Sequence, residues 1–215
     1  MTRSRSVPRH DRFERKNKKT DLERRKMMEY RKMEKLGIST SLLGFGCMRF
    51  PTNADGSIDE KEALAMLDTA YQSGVTYFDT AYPYHGGTSE GVTGKALARY
   101  PRDSYYLATK LPIWDVKSIA DAERIFHEQL ERLQKDYIDF YLMHALNRAH
   151  WNVIKELGLL AYCEKLRAAG KIKYLGFSFH DGYEVFEEIL TSYKWDFCQI
   201  QLNYMDKDTQ ATLKR

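Results

Sequence analysis

Residues 105–145, "YYLATKLPIWDVKSIADAERIFHEQLERLQKDYIDFYLMHA", contain the pattern that decides the fold. Their two ends, YYLATKL (105–111) and YIDFYLMHA (137–145), are rich in apolar and aromatic residues and predict buried strands. Between them Ser118 and Asp121 mark the start of a helix. The apolar face of that helix consists of Ile119, Ala122, Phe126, Leu130 and Leu133. The stretch therefore predicts a strand–helix–strand unit with parallel strands.

The same alternation continues along the chain. Further β-rich runs are SLLGFGCM (41–48), VTYFDTA (75–81), IKYLGFSF (172–179) and WDFCQIQLN (195–203). Asp59 predicts the start of one intervening helix and Gly74 its end, while Gly170 ends a later one. Six strands that alternate with helices indicate an α/β fold with a parallel sheet, either open and doubly wound or a (β/α)8 TIM barrel.

Two glycine motifs bear on that choice. GFGCMR (44–49) begins like a dinucleotide fingerprint, but Arg49 stands where the third glycine belongs, and a turn follows instead of a helix. SEGVTGKA (89–96) ends like a phosphate-binding loop, but Ser89 replaces its first glycine and Ala96 its magnesium-binding Ser/Thr. Both mismatches favour the barrel over an open nucleotide-binding sheet.

Composition limits the classes of protein. With 215 residues, 43% hydrophobic, the chain can bury one core and is expected to form one domain or at most two. It has no apolar run of about 18 residues and no signal-peptide core, so we expect a cytoplasmic protein without a membrane partner. Cys47, Cys163 and Cys198 form no CxxC pair, which argues against a disulfide framework and a metal site.

Positive charge is concentrated at the N-terminus. Residues 1–27 hold eleven Lys/Arg against four Asp/Glu, a net charge of +7, whereas residues 28–215 hold 23 against 26, a net charge of −3. Few apolar residues occur there, so a disordered extension is expected before a barrel domain at 28–215. Met28 is an alternative translation start. Nucleic-acid binding by this arm is a weaker alternative, since Phe13 is its only Phe, Tyr or Trp that could stack on bases.

Polar residues stand at the predicted carboxyl ends of three consecutive strands. Asp79 ends the second strand, with Tyr84 five residues later; Lys110 ends the third and His144 the fourth. In a barrel these ends are neighbours and carry the chemistry. Each residue alone has a structural alternative: a cap, amphipathic packing, a snorkelling side chain or a core histidine. Together they predict a functional site, because buried charges are costly unless they pair.

These four residue types suggest carbonyl reduction. Tyrosine is a poor proton donor at neutral pH, but a neighbouring ammonium group lowers its pKa. Asp79 would hold Lys110 in place, while His144 would orient a carbonyl oxygen and Tyr84 would protonate it. A nicotinamide would supply the hydride.

The segment that contains these residues resembles the aldo-keto reductases. It matches the family's DTA…Y…G…SE signature at Asp79, Thr80, Ala81, Tyr84, Gly86, Ser89 and Glu90. The resemblance covers nearly all of residues 28–215 and implies NADP(H)-dependent reduction of aldehydes or ketones. It also implies that Tyr84 is the general acid and that Asp79, Lys110 and His144 complete a catalytic tetrad.

The resemblance further implies a cofactor site and a substrate pocket. Ser178 in GFSFHD matches the serine that binds the nicotinamide carboxamide, although Phe179 replaces the usual asparagine, and Gln199 matches a nearby glutamine. The expected cofactor contacts are Gly46, Cys47, Met48, Asp79, Ser178 and Gln199. Trp114 and His85 are candidates for the substrate pocket, with a packing tryptophan and a solvated loop histidine as alternatives. No metal ligand is predicted.

The segments LGFGCMRFP, HALN, GFSFHD and QIQLNYMD resemble a bacterial branch of the family that often carries a C-terminal 4Fe-4S segment. DKDTQATLKR (206–215) is expected to begin another helix, at which the sequence stops. About six of eight βα units are therefore predicted, without the last two, which in the family bind the cofactor's pyrophosphate and 2′-phosphate. On this interpretation the chain is an N-terminal fragment with little activity of its own, and an iron–sulfur cluster would require residues further on.

Three classes of function remain open on the sequence. The first is an NADP(H)-dependent oxidoreductase acting on a small carbonyl substrate. The second is an inactive or regulatory barrel of the same fold, against which the intact tetrad argues. The third is a nucleic-acid-binding protein led by the basic arm, which would show salt-dependent binding.

Overall fold

The computed structural model describes residues 28–211. The basic segment 1–27, for which disorder is predicted, lies outside the described residues. The strands are β1 (Tyr30–Met33), β2 (Ile38–Ser41), β3 (Phe45–Gly46), β4 (Tyr77–Asp79), β5 (Tyr106–Leu111), β6 (Ile138–Leu146), β7 (Ile172–Phe179) and β8 (Phe197–Ile200). The α-helices are α1 (Glu60–Gln72), α2 (Ser89–Leu97), α3 (Ile119–Leu133), α4 (Arg148–Leu157), α5 (Leu159–Ala168) and α6 (Tyr183–Ser192).

Strands β3 to β8 form one parallel sheet in chain order, which confirms the six predicted strands. Helices connect successive strands, and the sheet curves into an open half-barrel with β3 and β8 at its edges. Register pairs Asp79 with Ala108, Lys110 with Leu142, and Ser178 with Gln199. The carboxyl ends of the strands consequently lie along one rim.

A hairpin that the sequence patterns did not reveal precedes the sheet. Strands β1 and β2 pair in antiparallel register, and Gly37 between them has a φ of 67°. All four residues of β1 except Met33 are exposed, so the strand lacks the buried alternation that identifies a strand in sequence. A short exposed hairpin carries little hydrophobic signal.

Helix termini follow the predicted capping residues. Ser118 caps α3 by accepting a hydrogen bond from the backbone N–H of Asp121 at 3.3 Å, and Asp59 caps α1 in the same way through Glu62 at 3.1 Å. The inner face of α3 buries Ala122, Ile125, Phe126, Gln129 and Leu133 against the sheet. One polar side chain, Gln129, therefore lies on an otherwise apolar face.

The helix predicted from residue 206 onward is not formed within the described residues. Residues 207–211 are bends, and Asn203 and Asp206 form an isolated bridge with backbone hydrogen bonds of 3.3 and 3.2 Å. The Asn203 side-chain oxygen also accepts from the backbone N–H groups of Met205 and Asp206. These bonds hold residues 203–206 in a tight turn. No helix between residues 28 and 211 is long and apolar enough to cross a bilayer.

Candidate active site

Lys110 is the centre of a buried cluster at the carboxyl rim of the sheet. Its ammonium nitrogen donates to Asp79 Oδ2 and to the carbonyl oxygen of Thr80, both at 2.7 Å, and lies 3.3 Å from the Tyr84 hydroxyl. Lys110 is only 2% exposed, and Asp79 is 8% exposed. Three acceptors thus satisfy an ammonium group that burial would otherwise penalise.

Tyr84 lies on the loop after β4, at the start of a 3-10 turn that spans Tyr84–Gly87. His85 and Gly86 within that turn adopt left-handed backbone conformations, with φ of 52° and 62°. The ammonium nitrogen of Lys110 also lies 4.9 Å from the centre of the Tyr84 ring. The phenol is half-buried, so its hydroxyl is held by Lys110 while the ring stays at the mouth of the site.

His144 faces Tyr84 from the neighbouring end of β6. The two rings are 5.9 Å apart at an interplanar angle of 78°. Burial, together with the positive charge of Lys110 and the neighbouring His180 and His150, lowers the pKa of His144 to about 3. The imidazole is therefore neutral at physiological pH. Its Nδ1 is buried and has no hydrogen-bond partner among residues 28–211.

A buried polar network that the sequence patterns did not single out lies behind Lys110. Gln129 donates to the Lys110 carbonyl oxygen at 2.9 Å and to Glu90 Oε1 at 3.2 Å, and accepts from the Tyr141 hydroxyl at 2.8 Å. Thr109 also donates to Glu90, at 2.6 Å. Burial raises the pKa of Glu90. The sequence offered one sign of this network: Gln129 is a polar residue on the apolar face of α3.

The predicted cofactor residues occupy two places on the rim. Ser178 on β7 is buried, and Gln199 on β8 is exposed directly beside it in register. Ser178 Oγ accepts from the backbone N–H of Ala145 at 2.7 Å, which leaves its O–H free to donate. This arrangement suits a carboxamide oxygen.

The second place is the end of β3, near the opposite edge of the sheet. Gly46 and Met48 are exposed there, and no atom lies within 4 Å of the position that a Cβ on Gly46 would occupy. Cys47 is fully buried, and its carbonyl oxygen accepts from Ser89 Oγ at 2.9 Å. The Cys47 side chain therefore faces the interior, which leaves backbone atoms as its means of contacting a cofactor.

The two predicted pocket residues differ in their surroundings. Trp114 is 45% exposed, and its ring lies 5.0 Å from that of His144, so it lines the mouth beside the tetrad. His85 accepts a hydrogen bond from the backbone N–H of Phe50 at 3.2 Å and stacks on the Phe50 ring. Its imidazole is thus held by the segment after β3. Within residues 28–211, no group of three or more His, Cys, Asp or Glu could hold a metal ion.

A family model described as "Aldo/keto reductase family" matches residues 42–215. The chain belongs to the aldo/keto reductase family. Aldo-keto reductase YhdN of Bacillus subtilis is 34% identical over 161 residues, which cover 70% of this chain and 47% of that protein. The probable aldo-keto reductase 1 of Glycine max is 33% identical over 150 residues, covering 66% and 42% respectively.

Solved structures of the family share the fold. Aldo-keto reductase AKR11C1 from Bacillus halodurans, in its holo form, matches with a TM-score of 0.68 at 30% identity, over 81% of this chain and 58% of that one. An aldo-keto reductase from Klebsiella pneumoniae in complex with NADPH matches with a TM-score of 0.58 at 29% identity, over 70% and 49%. The chain spans about half the length of the curated relatives that it matches.

Proposed function

We propose that this aldo/keto reductase site reduces aldehydes or ketones to alcohols with NADPH, and that Tyr84 is the proton donor. The observation that carries the proposal is the position of the Lys110 ammonium group, which contacts both the Asp79 carboxylate and the Tyr84 hydroxyl. A positive charge beside a phenol stabilises the phenolate left by proton transfer. The Lys110 charge would therefore favour transfer of the Tyr84 proton to a substrate oxygen in the proposed step.

The other residues have distinct proposed roles. Asp79 fixes Lys110, because it provides the negative charge for an otherwise buried cation. His144 is neutral, so one of its ring nitrogens carries a proton and can donate a hydrogen bond to the substrate carbonyl oxygen without competing to protonate it. Trp114 forms an apolar wall of the substrate pocket.

Several described residues fit a nicotinamide. The free O–H of Ser178 and the exposed Gln199 can bind a carboxamide, and the open space at Gly46 admits close approach to the backbone. When bound, NADPH supplies the hydride that the carbonyl carbon accepts. Tyr84 gives its hydroxyl proton to the carbonyl oxygen, which yields the alcohol and a phenolate that water reprotonates. The relative solved with NADPH supports this choice of cofactor.

The test compares the 215-residue chain with its Tyr84→Phe variant. NADPH binding is measured by fluorescence titration, and reduction of 4-nitrobenzaldehyde by loss of NADPH absorbance at high enzyme concentration. We expect the variant to keep its NADPH affinity within about twofold and to lose turnover by about 100-fold or more. Turnover retained by the variant within about twofold would contradict Tyr84 as the donor.

A second candidate is a barrel of the same fold that does not turn over substrate. Among residues 28–211 the sheet stays open between β3 and β8, which favours this candidate because a displaced cofactor or substrate slows hydride transfer steeply. NADPH binding without turnover in the assay above would support this candidate. Cytoplasmic location and a 4Fe-4S cluster in any further C-terminal segment stay predictions, tested by fractionation and by iron analysis.

A further inference from the structure

The strand β6 contains an irregularity next to His144. Met143 pairs with Phe177, and the next pair is Leu146 with Phe179. Two residues of β6 therefore lie opposite one residue of β7 between these pairs. Ala145, inside the interval, has a φ of 51°, a left-handed conformation that residues with a Cβ rarely adopt. Bulges of this kind redirect the neighbouring side chain. The side chain redirected here is His144.

Both polar backbone groups of Ala145 are held by side chains from other elements. Its N–H donates to Ser178 Oγ on β7 at 2.7 Å. Its carbonyl oxygen lies 2.7 Å from Nδ1 of His150 on α4. A carbonyl oxygen only accepts, so His150 must carry a proton on Nδ1 to form this bond. The two contacts hold the peptide groups on either side of the Ala145 Cα, a residue without a partner in the register between β6 and β7.

His150 is itself held in place. Asn147 caps α4 and accepts from the His150 backbone N–H at 2.8 Å, which fixes His150 in the first turn of the helix. The His150 ring also lies 5.7 Å from that of Trp114, whose other neighbour is His144 at 5.0 Å. His150 thus contacts both the backbone next to His144 and the aromatic wall beside it.

We propose that His150 is a positioning residue. Together with Ser178 it holds the backbone of Ala145 in the left-handed conformation and so directs His144 toward Tyr84. The functional part of this proposal rests on the proposed carbonyl reduction. Without His150, the Ala145 carbonyl oxygen loses the hydrogen bond that helps to hold the strained backbone in place. Trp114, which lies between the His150 and His144 rings, also loses its contact with His150.

Two substitutions separate hydrogen bonding from mere packing. His150→Asn keeps an N–H donor near the position of Nδ1, whereas His150→Leu removes the donor and retains apolar bulk. His127, which is exposed on α3, provides the matched control His127→Leu. If His150 only filled space, the leucine variant would resemble the wild type more closely than the asparagine variant.

The first measurement does not depend on activity. In the full chain labelled with ¹⁵N-histidine, long-range ¹H–¹⁵N spectra should show His150 with its proton on Nδ1. The His144 resonances should shift in His150→Leu and stay near their wild-type positions in His150→Asn and His127→Leu. A His150 protonated on Nε2 alone, or equal His144 shifts in the two His150 variants, would overturn the proposal.

The second measurement uses turnover. We expect His150→Leu to lower kcat for 4-nitrobenzaldehyde by about 10- to 100-fold while the Kd for NADPH changes less than about threefold, and His150→Asn to restore most of the loss. Equal kcat in both variants would contradict the positioning role. Absence of turnover in the wild type would refute the proposed function instead, and the spectra alone would then decide the role of His150.

Discussion

The two rims of the half-barrel differ in the groups that hold their buried carboxylates. At the amino ends of the strands, Asp139 accepts from Arg102 at 2.6 Å and from the Leu107 backbone N–H at 3.0 Å, and its other oxygen lies 2.8 Å from Lys173 Nζ. At the carboxyl ends, Asp79 contacts a single cation among the described residues, the ammonium group of Lys110, at 2.7 Å.

The amino-end arrangement occurs twice. Asp196, just before β8, accepts from Arg167 at 2.9 Å and from the Leu175 backbone N–H at 2.8 Å. In both cases a carboxylate at the start of one strand binds the preceding strand and a guanidinium group. Carboxylates that join a strand to its neighbour through a backbone N–H and a guanidinium group stabilise the fold, whereas Asp79 holds the ammonium group that contacts Tyr84. The amino rim therefore stabilises the fold, and the carboxyl rim holds the residues of the proposed reaction.

The largest expected effect is on activity at the carboxyl rim. The double variant Asp79→Asn/Lys110→Met should lower kcat/KM by about 100-fold or more, because the charge beside Tyr84 is lost. Its free energy of unfolding should stay within about 1 kcal/mol of that of the wild type, or rise, since neutral residues replace the buried ion pair of Asp79 and Lys110. Urea unfolding of the variant and the wild type checks this expectation. A large loss of stability in the variant would show that the Asp79–Lys110 pair stabilises the fold as the amino rim does.

The next effect concerns stability at the amino rim. Asp139→Asn should lower the free energy of unfolding by about 3 kcal/mol, because Arg102 and Lys173 lose their shared counter-charge. Asp136→Asn, an exposed change in the same loop, is the matched control and should alter it by less than about 0.5 kcal/mol. Similar urea midpoints for the two variants would show that Asp139 does not stabilise this rim.

The smallest effect is a pH dependence due to His144. Its folded pKa of about 3 lies below the ordinary 6.5, so only the unfolded chain binds this proton between those values. The contribution of His144 to the free energy of unfolding is therefore complete above pH 6.5. It falls as the pH drops, by about 2 kcal/mol between pH 7 and pH 5. Urea unfolding of His144→Asn should show a correspondingly weaker pH dependence than the wild type. Identical dependences would contradict a buried neutral His144.

Much of the fold could be predicted because its signals are local. The apolar runs of β5 and β6 and the caps Ser118 and Asp59 act within a few residues of chain. The hairpin β1–β2 and the turn at Asn203 could not, since one is exposed and the other is held by an asparagine side chain that can either cap a helix or close a turn. Gln129 was overlooked because its partners come from three different elements.

The sequence by itself determined the alternation of strands and helices and placed Asp79, Lys110 and His144 at the ends of successive strands, since burial patterns and strand order are properties of the chain. Only the tertiary structure decided which donors each group finds. The left-handed Ala145 peptide and its bonds to Ser178 and His150 join β6, β7 and α4. Hydrogen bonds act over about 3 Å and depend on direction, so their partners follow from packing and not from sequence spacing.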